Sequence, residues 1–129
     1  MPSKAEVIAP NVLAFNALSA GMWFALSDGA TITPDTLNGD FQYVTLGGNR
    51  TLAAILNPPT AASLKSNRIL FRIRQDATGS RTITWNAIYR FPNGITPILT
   101  TTAAKSDYFS FLFNEVDTKW DLVGDRYNL

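Results

Sequence analysis

Between Asn67 and Trp85 the sequence alternates apolar and polar residues on both sides of a glycine-bearing turn, and no other segment constrains the fold as tightly. A period of two marks a strand with one buried face, and Gly79 supplies the left-handed residue that the loop Ala77-Thr78-Gly79 requires. The spacing predicts an antiparallel hairpin that sets Gln75 opposite Arg81, Ile73 opposite Ile83 and Phe71 opposite Trp85. In that register Phe71, Ile73, Ile83 and Trp85 face a core, while Arg72, Arg74, Thr82 and Thr84 face away. A slip of one residue would bury two arginines, which the cost of desolvating charge forbids.

A second hairpin follows the same logic. Phe109, Phe111 and Phe113 share a strand face, and a four-residue loop Glu115-Val116-Asp117-Thr118 sets Phe113 across from Trp120 and Phe111 across from Leu122. Further strands are expected at Met22–Ser27, Ala30–Thr33, Asp40–Leu46 and Arg50–Ala53, separated by the turn signals Asp28-Gly29, Asn38-Gly39 and Gly47-Gly48. Ala61-Ala62-Ser63-Leu64-Lys65 suits one short helical turn, and Tyr89-Arg90-Phe91-Pro92 a short edge strand leading into a surface loop through Thr100-Thr101-Thr102. No internal repeat is evident. The expected fold is all-β: an antiparallel β-sandwich or jelly-roll-like single domain over residues 22–129, preceded by an N-terminal arm over residues 1–21.

Composition narrows the function. The 129 residues include no cysteine and no histidine, which removes disulfides, thiolate nucleophiles, imidazole bases and most zinc sites. The nearest carboxylate pair for acid and base work, Glu115 with Asp117, falls on a turn where Asp is explained by its bonds to nearby backbone. No calcium loop pattern is present. Asn49-Arg50-Thr51 reads as a strand start rather than a glycosylation site, and Gly47-Gly48 as a turn rather than a phosphate loop. The chain is therefore expected to have no catalytic residues, no metal and no cofactor, and to act by binding. A net charge of +1 supplies no field toward nucleic acid or membrane, while 46% hydrophobic against 16% charged residues suggests surface hidden against other chains. Val7 through Leu26 lacks charge over about the length of a membrane span. Pro10, Asn11, Asn16, Ser19 and Gly21 interrupt it, so it reads as an arm that packs on the domain or a neighbour.

Two groups of residues are candidates for contact with a partner. Arg68, Arg72, Arg74 and Arg81 gather on one predicted hairpin with only Asp76 to oppose them. They form either a solvated face, or a protein interface whose guanidinium forks meet carboxylates, with nucleic acid a distant third. Phe15, Trp23, Phe24, Tyr89 and Tyr108 exceed what the two hairpins need for a core. Burial accounts for most of them, and Trp23, Tyr89 and Tyr108 also suit a sugar-stacking platform or a subunit contact. The candidate interface thus comprises Val12, Leu13, Phe15, Met22, Trp23, Phe24, Arg72, Arg74, Tyr89 and Arg90.

Across Thr45–Leu52, Phe71–Trp85, Phe91–Gly94, Pro97–Thr100, Asp107 and Lys119–Asp121 the chain resembles a β-domain recurrent in virion proteins of tailed bacteriophages, over roughly residues 28 to 126. In that family the domain often ends a longer tail-fibre or head-fibre protein, whereas here it fills almost the whole chain. The resemblance implies a capsid decoration, or cement, protein on the capsid exterior. Such a protein is commonly a homotrimer that clamps neighbouring major capsid protein subunits, with no nucleic acid, membrane or cofactor involved. Linking three copies makes later contacts intramolecular. The alternative is a head-fibre or tail-fibre module that binds carbohydrate on a host surface.

Overall fold

The computed structural model describes residues 22–60 and 66–129, and in these the chain is all-β apart from two single 3-10 turns. The N-terminal arm, with Val12, Leu13 and Phe15, and the helical turn expected at 61–65 lie outside the described residues.

Three successive strand pairs wind as the rungs of a coil. Strands β1 (Phe24–Ala25) and β2 (Thr31–Ile32) form the first rung, β3 (Phe41–Leu46) and β4 (Arg50–Leu52) the second, and β5 (Arg68–Gln75) and β6 (Ile83–Trp85) the third. The first member of each rung stacks parallel on the last, as β1-β3-β5, and the second members stack as a separate sheet, β2-β4-β6. The long sheet continues through β8 (Ser106–Asn114) and β9 (Lys119–Arg126), an antiparallel hairpin, to the edge strand β7 (Tyr89–Arg90). The two sheets enclose one core.

Strand direction differs from the expected antiparallel sandwich, and the predicted 67–85 hairpin does not form. Both edges of β5 are taken, by β3 on one side and β8 on the other, so β6 pairs with β4 instead. The turn itself explains the departure. Where a hairpin would close Gln75 onto Arg81 through backbone, the Gln75 amide N–H donates to Lys105 O at 2.9 Å. Its side chain makes the substitute link, with Nε2 donating to Arg81 O and Oε1 accepting from Arg81 N at 2.9 and 2.8 Å. Gly79 sits at φ 76°, and a Cβ there would stand 2.6 Å from Thr101 O, so the glycine serves a corner packed against the 95–105 loop.

The predicted facing of side chains holds even though the partners change. Phe71 and Ile73 are buried, and Ile83 and Trp85 pack on the core from partly buried positions. Stacking places Ile32, Leu52 and Trp85 in one inward column and Thr31, Thr51 and Thr84 in one outward column. The second hairpin forms in the expected register, with Phe113 opposite Trp120 and Phe111 opposite Leu122. Its turn is held by Asn114 Oδ1, which accepts from the amides of Val116 and Asp117 at 3.0 and 3.1 Å.

The corners are clipped rung to rung. Asp28 of the first corner accepts from Arg50 Nε at 2.8 Å, Arg50 Nη2 at 3.0 Å and the Gly47 amide at 3.1 Å. A Cβ on Gly47 would approach Asp28 Oδ2 to 2.8 Å, so glycine keeps that contact open. Asn49 of the second corner accepts from the Thr82 amide at 3.1 Å. In the third, hydrogen bonds from Arg81 and from the Gly79 amide hold the Asp76 carboxyl down to about 2, against an ordinary 3.8. Because the folded value is depressed, this corner's contribution is complete above 3.8 and is lost as pH falls through about 2. Amide signals of Thr78 and Gly79 followed by NMR should broaden or move over that window.

Buried Asp107, 2% exposed, ties the long loop and the C-terminal segment to the sheet. Its Oδ2 accepts from the Thr100 amide at 2.7 Å and its Oδ1 from the Asn128 amide at 3.0 Å. Asp107→Ala leaves two donors without partners and is expected to cost about 2 to 4 kcal/mol by denaturant titration.

Candidate interaction surface

Alternation sends every second residue of β3, β5 and β8 away from the core. Parallel pairing of β3 with β5 and antiparallel pairing of β5 with β8 align these residues in rows across the strands. Tyr43 stands beside Arg72, Arg72 beside Tyr108 and Tyr108 beside Arg126. At about 4.8 Å between strands the row spans about 14 Å. Phe41, Leu70, Ser110 and Gly124 make a flanking row on one side, and Thr45, Arg74 and Ser106 on the other.

Trp23, which precedes β1, lies against these rows, its ring centroid 5.4 Å from that of Phe41 and 6.2 Å from that of Tyr108. The Arg72 guanidinium is held between two rings, with Cζ 4.7 Å from the Trp23 centroid and 4.6 Å from that of Tyr43. Each such contact is worth about 0.5 to 1 kcal/mol at an exposed site and removes rotamer freedom from the arginine before any ligand arrives.

Charge is unbalanced on this face. Arg50, Arg68, Arg81 and Arg90 each pair with an aspartate. Among the described residues no carboxylate reaches Arg72, Arg74 or Arg126 at ion-pair distance. Arg74 Nε donates to Ala104 O at 3.3 Å and Arg126 Nη1 to Asp125 O at 2.6 Å, whereas the Arg72 N–H groups have no described acceptor. A polar depression of about 270 Å³ opens beside the row, lined by Tyr43, Thr45, Arg72, Arg74, Ser106 and Tyr108 together with Ala104 and Leu129. A more apolar one of about 420 Å³ adjoins it over Leu70, Tyr108, Ser110 and Gly124, and is lined also by Asp125, Arg126 and Leu129.

Of the residues singled out from sequence, Trp23, Arg72, Arg74 and Tyr108 therefore lie at or beside one surface. Met22 is 60% exposed, and Phe24 turns partly onto the core. Tyr89 does not belong to that surface. It is buried among Phe71, Trp85 and Phe111, and its hydroxyl donates to Ala53 O at 2.7 Å, which makes a phenol compatible with the interior. Arg90 is also placed elsewhere, clamping the second hairpin: its Nε and Nη2 donate to Asp121 at 2.6 and 2.9 Å and its Nη1 to Asp117 at 2.9 Å. The Arg90 bonds hold the Asp121 carboxyl below its ordinary range. The carboxylate pair weighed from sequence thus has one member, Asp117, committed to this clamp. Tyr43 and Arg126 complete the row and were not singled out, because only the register reveals that they stand beside Arg72 and Tyr108. Val12, Leu13 and Phe15 lie outside the described residues.

A family model described as "Putative phage tail fibre C-terminal domain" matches residues 32–106, more than half of the chain. No curated protein and no solved structure matches it.

Proposed function

We propose, from the premise that the chain belongs to the phage tail fibre C-terminal domain family, that it is the host-binding part of a phage fibre and docks through the outer face of its long sheet. Membership makes it a phage structural protein. The observation that carries the docking reading is the row of rings and arginines on that face, where Arg72 and Arg126 have no carboxylate partner among the described residues although four other arginines have one. Arginines without a described carboxylate partner on a sheet face, with Arg72 held between two rings, form a surface prepared for an external anion. In this reading the domain binds and does not catalyse, and it needs no cofactor.

The family match favours this reading over a capsid decoration protein. The decoration reading, a trimer clamping major capsid subunits, uses the N-terminal arm together with Arg72 and Arg74, which would meet acidic residues of the capsid partner. Gold-conjugated antibody against the chain, applied to intact virions, separates the two. Label at the tail is expected, and label spread over the capsid shell would overturn the fibre assignment.

A further inference from the structure

We infer that the row Tyr43–Arg72–Tyr108–Arg126 recognises an anionic polysaccharide, with the arginines pairing to its carboxylate or phosphate groups and the rings lying against its sugar faces. The inference rests on the host-binding reading and adds the chemical class of the ligand. Rings and guanidinium groups alternate along a line of about 14 Å across four strands, a shape that fits an extended polymer. The depressions beside it open to solvent along the row, so several units of a polymer can share the contact. Tyr, Trp and Arg also serve protein interfaces, and what favours a polysaccharide over an acidic protein is the number of hydroxyls around the arginine. Here the centre is Arg72, flanked by the hydroxyls of Thr45, Ser106, Ser110, Tyr43 and Tyr108, which can bond to sugar hydroxyls.

Arg72 is the anchor. Trp23 and Tyr43 cover it at 4.7 and 4.6 Å and so aim its planar donors at one place. A planar fork pairs with two oxygens of a carboxylate or phosphate at once, which a lysine in the same position cannot do.

The test uses cells, and polysaccharide extracted from the bacterium on which the phage plates. The polysaccharide is taken native, after reduction of its carboxylates, and after removal of its phosphates. The full chain should bind cells before and after proteinase treatment, and should bind native polysaccharide about tenfold or more tightly than one of the two treated forms. Arg72→Gln should lose a similar factor on the native polymer and nothing further on the neutralised one. Arg72→Lys should recover only part, and Arg126→Gln, at the open end of the row, gives the same direction should Arg72→Gln fold poorly. Which treatment acts tells carboxylate from phosphate. Cell binding destroyed by proteinase, or polysaccharide binding indifferent to both treatments, would overturn the inference while leaving the host-binding reading intact. Absence of any cell binding would remove that reading itself.

Discussion

Replacing Phe111 by alanine is expected to remove about 3 to 5 kcal/mol of folding free energy, a large part of what a domain of this size possesses. Phe111 is fully buried and joins the long sheet to the strands beyond it, its ring 5.9 Å from Phe71, 5.8 Å from Trp85, 5.2 Å from Tyr89 and 6.0 Å from Phe91. Removing it leaves a cavity touched by both sheets, which cannot collapse without shifting the coil against its antiparallel cap. Leu112→Ala, one residue on but 42% exposed, serves as control and should stay within about 0.5 kcal/mol. Denaturant unfolding monitored by tryptophan fluorescence measures both. Equal effects at the two positions would mean that the core does not lie where the strands place it.

Arg72→Glu is expected to weaken binding to the host surface by about a hundredfold or more while leaving the fold in place. The substitution removes a cation and sets a like charge against the anion, a reversal that costs several kcal/mol in an interface. Loss of the two ring contacts should take only about 1 to 2 kcal/mol from stability, because the side chain lies on the outer face. Glu is also shorter, so Trp23 keeps Phe41 and Tyr108 but loses the guanidinium on its face, and its fluorescence should shift toward that of a more exposed indole. Binding to bacteria by flow cytometry, with circular dichroism as a check of fold, measures the split. Unchanged binding with intact β signal would exclude the outer face as the docking surface.

These expectations depend on features that the sequence exposes unequally. Alternation in Arg68–Gln75 and Ser106–Asn114 announces which residues face inward, because strand side chains have no other choice. The register of the β8–β9 hairpin is equally legible, since a short turn with Asn114 capping it fixes the pairing locally. Parallel stacking is not legible. Phe24, Gln42 and Phe71 lie in one column although the chain lengths between them differ, so no period betrays the coil. Asp76 to Ser80 would serve a hairpin or a corner, and the decision lies with distant groups: Lys105 O, which takes the Gln75 amide, and Thr101 O, which takes the Ser80 amide at 2.8 Å.

The binding surface divides in the same way. Arg72 and Arg74 stand out because arginines on the polar face of an amphipathic strand must point outward, whatever their neighbours. Their ring partners depend on which strands lie to either side. Tyr89 illustrates the converse error, since an aromatic hydroxyl reads as a surface group until Ala53 O is found within its reach.

The most direct test is backbone amide NMR of the full chain during titration with native polysaccharide from the host bacterium. Shifts should concentrate at Tyr43, Arg72, Tyr108 and Arg126 and fade toward the threonine column of Thr31, Thr51 and Thr84 on the opposite sheet. Shifts confined to that column, to the loop from Ile95 to Ile98 or to the Glu115–Thr118 turn, with the row silent, would contradict the account.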